Sequence, residues 1–577
     1  MKIFFYFCIL IVFFTGSFTR FYTISDHFTH PDDINIIKQI NDAKKSNVIQ
    51  NLYDPEHTNY DKKYKKTLRK HLDQDKHGFS LKILESIYPY IVIPLYTSLA
   101  PLQFFFTTPL LAFAETYEEF KFFGRLPSLI FALLSFPVFF FISKILFQEK
   151  KLFLTLLSTS LFFLSWEYII LSDLAHNYVL GVFSLTIILY TLLKQKLLFN
   201  KSDYIFEGLK LGSLLGFFVY AHYQVLFILP VFIATMIWNI IDLKDINDKI
   251  KSLKYVFFSS IFAALISLPA VIWILTKKMS SINWPAGPNG EFLFNWNLFF
   301  ESYLYLPKFF IKNFYILTSR MLSFVSENFY YFDLIFIFIF LLIPIGLISL
   351  LFDNSFKKRV FGRFAICLFI AWFFYTLILN FTLSPTRQSV ILLPVLCILC
   401  AKGFESLLIF INNKIFKINN IVSISSVFVS LTIIVLFYFS FSNVMKDRID
   451  LFNEDQFVDL VDKYNVKNIL LYDGNLANLF LMPKLSKKNI NIFYMHGPWP
   501  QLQQNKNFVM NENTNNLLFA SYMYPINKSE VAHNFISNDL QGWNIVYSYE
   551  KNLPAEIEFS NLTNNFANSI YIYIYSK

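Results

Sequence analysis

The chain has 577 residues, of which 55% are hydrophobic and only 16% are charged, and its mean hydropathy is +0.45. A soluble globular protein carries about 25% charged residues, so this composition excludes an ordinary soluble protein and indicates a membrane protein. The net charge of +10 does not by itself indicate nucleic-acid binding, because in a membrane protein the excess of basic residues marks the cytoplasmic loops.

Apolar runs recur along most of the chain. A membrane-spanning helix needs about 20 mainly apolar residues, and about eleven segments approach that length. The chain is therefore predicted to be an α-helical polytopic membrane protein. The predicted spans are residues 3–22, 124–146, 152–171, 176–194, 207–223, 224–241, 255–275, 331–352, 361–381, 388–410 and 419–441.

The basic residues between these runs predict the orientation of the spans, because short basic loops stay in the cytoplasm. Such loops occupy every second connection, at residues 148–152, 194–210, 242–254, 353–363 and 412–417. The other connections then face the outside: 23–123, 171–178, 221–223, 276–330, 383–388 and the tail from 442.

Two segments near the N-terminus have alternative interpretations. "MKIFFYFCILIVFF" could be a cleaved signal peptide, but no A-x-A-like site follows it, so an uncleaved first helix is favoured. Residues 88–115 are apolar enough to span the bilayer. Counting them as a span would put every later basic loop outside, so surface helices within the 23–123 loop are favoured.

The tail differs in character from the rest of the chain. "QFVDLVDKYN" has helical periodicity, whereas "VKNILLYDG", "NINIFYMHG", "GWNIVYSYEK" and "SIYIYIYSK" are typical of strands. These patterns predict two domains, a transmembrane module over 1–441 and a small extracytoplasmic α/β domain over 442–577.

Unusual polar residues gather in the predicted outer connections. Ionisable residues near a bilayer are costly, so they are candidates for function. Each also has a structural alternative. One residue of the adjacent acids could cap a helix, the arginines could anchor helices at the interface, and a histidine could be a hydrogen-bonded interface residue. The candidates are Asp32, Asp33, Arg125, Asp173, His176, Tyr178, His222 and Arg387.

The order of several motifs resembles the GT-C fold glycosyltransferases, in particular the protein O-mannosyltransferase and aminoarabinose transferase superfamily. Members of that group carry an acidic pair after the first helix, a proline-marked surface segment and an "R-x-PS" helix start. The matching segments here are "HPDD" (30–33), "SLAPLQFFFTTPLLAF" (98–113), "GRLPS" at the start of 124–147, the hairpin 163–185, the segment 208–230 and "SPTRQSVILLP" at the start of 384–407.

The resemblance implies a GT-C-like fold and an inverting transfer from a polyprenyl-phosphate sugar to a lipid, glycan or protein acceptor. Asp33 or Asp32 would be the base, and Arg125 and Arg387 would contact the donor phosphate. A cavity would be lined by Asp173, His176, Tyr178 and His222.

No cofactor is certain, although His30 and His222 could contribute to a divalent metal site. The resemblance also implies the inner membrane of a bacterium, with the active site on the outside and no nucleic-acid partner. The alternatives are a transporter or flippase for lipid-linked saccharides, which should show internal repeats and mid-membrane charges, or a non-catalytic scaffold that displays the tail.

Overall fold

The structure is a computed structural model. It describes residues 2–24, 101–111, 113, 117–148, 151–194, 203–278, 300–302, 304–311, 314, 333–379, 389–413, 421–448, 454–471, 491–494, 515–522, 542–552 and 569–577. The chain forms two compact units. The helical unit comprises Met1–Ile24, Ser98–Gln103 and Ser128–Asn443, and the sheet unit comprises Ser25–Thr97, Phe104–Pro127 and Val444–Lys577.

Long apolar helices account for most of the described residues. Each of the predicted spans coincides with a helix, and the third is broken into α4 and α5. The helices are α1 (Lys2–Ile24), α2 (Pro101–Leu111), α3 (Tyr117–Phe147), α4 (Leu152–Phe163), α5 (Trp166–Ser172), α6 (Tyr178–Lys194), α7 (Asp203–Phe218), α8 (Val225–Ile241), α9 (Ile246–Lys278), α10 (Asp333–Leu351), α11 (Phe356–Leu379), α12 (Leu393–Ile411), α13 (Ile421–Arg448) and α14 (Glu454–Lys463).

The chain is a multi-pass membrane protein. Among the described residues, five helices are long and apolar enough to cross a membrane, and α4 with α5 makes a sixth, bent by 52°, if the pair is one span. The shorter apolar helices include α6 and α8. The number of spans and their orientation remain predictions.

Glycines bring two helix pairs of the helical unit into close contact. A Cβ on Gly212 of α7 would lie 2.4 Å from the Ser259 carbonyl oxygen of α9. On α10, a Cβ on Gly346 would lie 2.0 Å from the Leu399 carbonyl oxygen of α12. Small residues at helix interfaces let the backbones approach, which is how membrane helices gain packing energy.

α6 lies at the centre of the helical unit, where it contacts α5, α7, α8, α11 and α12. The residues of α4 are all buried, as are the first eleven of α12. The segments that join α5 to α6 and α7 to α8 connect α6 and three helices that contact it. Four of the candidate site residues lie on or next to those segments: Asp173, His176, Tyr178 and His222.

The sheet unit contains α14 and a five-stranded sheet of order β2-β1-β3-β5-β4. β2, β1 and β3 are parallel, whereas β5 pairs antiparallel with both β3 and β4. This mixed sheet and the helical bundle confirm the predicted fold class. The strands are β1 (Asn468–Leu471), β2 (Asn491–Tyr494), β3 (Asn516–Tyr522), β4 (Asn544–Asn552) and β5 (Ser569–Ser576).

Candidate active site

The predicted site residues fall into three groups. Asp32, Asp33, His30 and Arg387 lie outside the described residues. Arg125 is buried on α3, within the part of that helix that belongs to the sheet unit. The helical unit contains the remaining four, which are Asp173, His176, Tyr178 and His222.

The turn between α5 and α6 carries three of those four residues. α5 ends at Asp173, whose N–H donates to the Ile170 carbonyl oxygen at 3.1 Å. The His176 N–H donates to the Leu174 carbonyl oxygen at 2.7 Å, and α6 begins at Tyr178. The side chains of Asp173 and His176 are buried.

The rings of His176, Tyr178 and His222 follow one another in a row, called the stack here, in which His176 lies parallel to Tyr178 and His222 is tilted by 44° from Tyr178. The His176 and Tyr178 centroids are 3.9 Å apart with planes inclined by 12°, and Tyr178 lies 5.7 Å from His222. A Cβ on Gly181 would lie 3.0 Å from the His222 ring, so the absent side chain makes room for that imidazole. The stack therefore joins the α5–α6 and α7–α8 connections.

Both imidazoles of the stack are neutral at pH 7. Burial lowers the pKa of His222 to about 4. Burial, followed by repulsion from His222, lowers the pKa of His176 well below its usual value. The His222 Nδ1 accepts a hydrogen bond from the Gln224 N–H at 3.2 Å, which leaves the proton on Nε2. These residues can exchange hydrogen bonds with a neutral ligand, but they supply no positive charge for a phosphate.

Two further polar side chains support the turn. Ser128 Oγ of α3 donates to the His176 carbonyl oxygen at 3.0 Å. Gln103 Nε2 of α2 donates in turn to Ser128 Oγ at 3.4 Å. The Leu102 N–H donates to the Tyr220 carbonyl oxygen in the α7–α8 connection at 2.9 Å. The start of α2 thus bonds directly to the α7–α8 connection and, through Ser128, to the α5–α6 turn, which the sequence patterns do not predict.

Arg20 is a buried residue that sequence reasoning missed. It lies near the end of α1 and is 0% exposed. Its guanidinium interacts electrostatically with Asp173. The only signal in the sequence is a single arginine inside an apolar run, which is equally typical of a residue that anchors a helix at the interface.

The described residues give no support to a metal site. Among them, no group of three or more His, Cys, Asp or Glu could hold a metal ion. His222, which the sequence indicated as a ligand, already uses Nδ1 as an acceptor. The other indicated ligand, His30, lies outside the described part of the chain.

No protein-family model and no curated protein sequence matches the chain. Its fold is similar to that of ArnT from Cupriavidus metallidurans bound to undecaprenyl phosphate. The identity is 9% and the TM-score 0.42, over 82% of this chain and 87% of ArnT.

The archaeal oligosaccharyltransferase AglB from Archaeoglobus fulgidus, in complex with an inhibitory peptide and a dolichol-phosphate, is also similar. The identity is 12% and the TM-score 0.42, over 74% of this chain and 61% of AglB. At these values no residue of this chain is equated with a residue of either protein.

Proposed function

We propose that the chain is a membrane glycosyltransferase that moves a sugar from a polyprenyl-phosphate donor to an acceptor on the extracytoplasmic side. The observation that carries the proposal is the cluster of three buried polar residues, Asp173, His176 and His222, with the partly exposed Tyr178 between the two imidazoles. Burying such groups is costly, and they cluster where two helix connections meet.

The chemistry of the cluster suits a sugar. His176 Nδ1 has no hydrogen-bond partner among the described residues. A neutral imidazole both donates and accepts, and the ring faces of the stack offer an apolar surface. A sugar needs both features, because its hydroxyl groups donate and accept hydrogen bonds and its ring packs on an apolar surface. The neutral histidines leave phosphate binding to arginines, whose guanidinium groups bind oxyanions in a bidentate manner.

The proposed reaction is a direct displacement with inversion. Asp33, or its neighbour Asp32, takes the proton from the acceptor hydroxyl or amine as that atom attacks the anomeric carbon. The bond from that carbon to the phosphate oxygen breaks, and the polyprenyl phosphate leaves with the electron pair. Arg125 and Arg387 stabilise the charge on the leaving phosphate.

The test uses purified protein in membranes supplied with a radiolabelled polyprenyl-phosphate sugar. We expect wild type to transfer the label and the Asp32→Asn/Asp33→Asn double variant to lose about 100-fold or more of the rate, since a missing base costs 10²–10⁴-fold. Each single variant identifies which acid is the base. Glu207→Gln, at an exposed salt bridge with Lys210, is the matched control.

Undiminished transfer by the double variant would rule out the assigned base. Absence of transfer by wild type with every acceptor class would rule out the proposed activity. A flippase would instead move the intact lipid-linked sugar across vesicles without cleaving it, which the same label distinguishes by chromatography.

The proposed orientation has its own test. In spheroplasts, Lys577→Cys should react with a membrane-impermeant maleimide, whereas Asn413→Cys should react only after permeabilisation. The alternation of basic loops supports this prediction. The reverse labelling pattern would place the cluster on the cytoplasmic side.

A further inference from the structure

The break between α4 and α5 leaves a carbonyl group that Arg20 binds. Phe163 is the last residue of α4, and the carbonyls of a final helical turn lack the N–H four residues on. Arg20 Nη1 donates to the Phe163 carbonyl oxygen at 2.9 Å and to the Gly16 carbonyl oxygen at 2.9 Å. A cation at a helix C-terminus also interacts favourably with the helix dipole.

The guanidinium lies against aromatic rings on both sides of the break. Its Cζ is 4.2 Å from the centroid of the Phe163 ring in α4 and 5.1 Å from that of Tyr168 in α5. A Cβ on Gly16 would lie 2.5 Å from the Phe163 ring, so glycine allows α1 to approach this closely. A planar guanidinium can stack and donate at once, which an ammonium group cannot.

Arg20 also interacts electrostatically with the turn that follows α5. The Asp173 carboxylate attracts the guanidinium, and α1 packs against both α4 and α5. Arg20 Nε and Nη2 make no hydrogen bond to the described residues. A buried charge that is only partly hydrogen-bonded lowers stability, so stability alone does not account for an arginine here.

We propose that Arg20, with Gly16, forms a clamp that fixes the break between α4 and α5 and thereby positions the Asp173–His176 turn for the reaction. Arg20 is a positioning residue, since it acts through the end of α4, the Tyr168 ring and Asp173. The inference rests on the proposed function for its catalytic part. The clamp itself is a structural property and can be measured without any activity.

The structural arm compares backbone amide exchange over residues 164–177, by mass spectrometry in nanodiscs. Arg20→Met removes the donors and the charge, and we expect these amides to exchange about tenfold faster because the break loses its cap. Phe18→Leu, at an exposed position of the same helix, should leave the exchange unchanged. Arg363→Met removes a buried arginine elsewhere in the helical unit and should not affect 164–177.

The kinetic arm separates positioning from binding. For Arg20→Met we expect kcat to fall about 100-fold while the donor KM stays within about threefold, since misplaced groups cost rate rather than affinity. Arg20→Lys keeps one donor and the charge but cannot stack, so it should lose only about tenfold and show intermediate exchange.

Unchanged exchange over 164–177 in a folded Arg20→Met variant overturns the clamp. Faster exchange with unchanged kcat overturns the positioning role. Faster exchange in a protein whose wild type transfers no sugar leaves the clamp in place and rejects the proposed function. If Arg20→Met does not fold, the same two measurements are made on Arg20→Lys. An Arg20→Lys variant whose amide exchange and kcat equal those of the wild type rejects the proposal.

Discussion

The two ends of the helical unit bury polar side chains in opposite ways. The histidine end comprises the buried Arg20, Asp173, His176 and His222 and the partly exposed Tyr178. The ion-pair end comprises the buried Asn239, Lys358, Arg363, Lys402 and Glu405 and the more exposed Lys151, Asp242 and Asp353. α8 begins three residues after His222 and ends immediately before Asp242, and its 17 residues span about 25 Å.

Charges at the ion-pair end are matched to one another. Glu405 accepts hydrogen bonds from Lys151 and from Lys402, the latter at 2.7 Å. Lys402 also lies 3.6 Å from Asp353, which accepts a bond from Lys358 at 2.9 Å. This network joins α12, the start of α4 and the α10–α11 connection.

A second pair at this end joins α8 to α11. Arg363 donates to the Asp242 carboxylate and, at 2.9 Å, to Asn239 Oδ1. The histidine end, in contrast, contains a stack of neutral rings and a guanidinium whose Nε and Nη2 make no hydrogen bond to the described residues. Buried polar groups are usually hydrogen-bonded, so the unused hydrogen-bonding capacity sets the histidine end apart from the ion-pair end.

The largest expected effect is at the ion-pair end. Glu405→Ala would leave Lys151 without its carboxylate and Lys402 with only the more distant Asp353, and removing one partner of a buried pair costs about 3–5 kcal/mol. We expect a corresponding fall in the free energy of unfolding, measured by denaturation in detergent, and normal transfer by the molecules that stay folded.

The exposed pair of Glu207 and Lys210, whose side chains are 49% and 55% exposed, is the matched control. Glu207→Ala should cost less than about 1 kcal/mol, because solvent already screens that pair. Equal losses in the two variants would show that the Glu405 network contributes no special stability.

The next largest effect is a pH dependence that comes from the histidine end. His222 is neutral when folded, with a pKa of about 4, against 6.5 when unfolded. The unfolded chain therefore binds more protons between these values. The contribution of the neutral His222 to the free energy of unfolding should be fully present above pH 6.5. The free energy of unfolding should then fall by about 3 kcal/mol as the pH drops to 4. His176, whose pKa is also lowered, adds to the loss.

The ion-pair end should respond in a different pH window. Burial pushes the pKa of Asp353 upward, but the bond from the Ser355 N–H and the charges of Lys358 and Lys402 lower it overall. Its contribution is present above the ordinary value of 3.8 and is lost only below it. Between pH 6.5 and 4, His222→Gln should therefore flatten the stability curve and Asp353→Asn should not. A curve that flattens in Asp353→Asn but not in His222→Gln would show that the ion-pair end, and not the histidine end, causes the pH dependence in this range.

A smaller effect, on activity alone, is expected for the hydroxyl of Tyr178. Tyr178→Phe keeps the ring stack but removes a group that could bond to the sugar, so kcat/KM should fall about tenfold, the equivalent of one hydrogen bond. Tyr375→Phe is the control, since Tyr375 Oη donates to the Phe227 carbonyl oxygen at 2.8 Å. That variant should lose stability and keep its rate. Equal rates in the two variants would remove Tyr178 from the site.

Much of the fold could be predicted because it depends on local patterns. Apolar runs mark the helices, and period-two alternation marks β4 and β5. β3 was missed because Leu517–Ala520 are buried, and a strand covered on both faces lacks alternation. The break after Phe163 was also missed, since hydropathy is continuous across it. The hydrogen bond from Arg20 to the Phe163 carbonyl oxygen at this break joins residues that are 143 positions apart in the sequence.

The candidate site was predictable only in part. Loop charge indicated which connections share a side of the membrane, and that grouped Asp173, His176 and His222. The stacking with Tyr178 and the contact of Gly181 with His222 depend on how α6 packs against α7 and α8. Arg20 could not be assigned, because a lone arginine in an apolar run has the same sequence pattern whether it anchors a helix or binds another one.

The smallest expected effect is for Arg363→Lys at the ion-pair end. The lysine keeps the charge near Asp242 but cannot bond to Asn239 and Asp242 together, so we expect a loss of about 1 kcal/mol. The Asp242 side chain is 40% exposed, so salt should screen what remains. The measurement compares unfolding in about 0.1 M and about 1 M salt, between which the Debye length falls from about 10 Å to about 3 Å. A loss larger than that of Glu405→Ala would mean that the half-exposed pair, rather than the buried network, holds this end of the helical unit together.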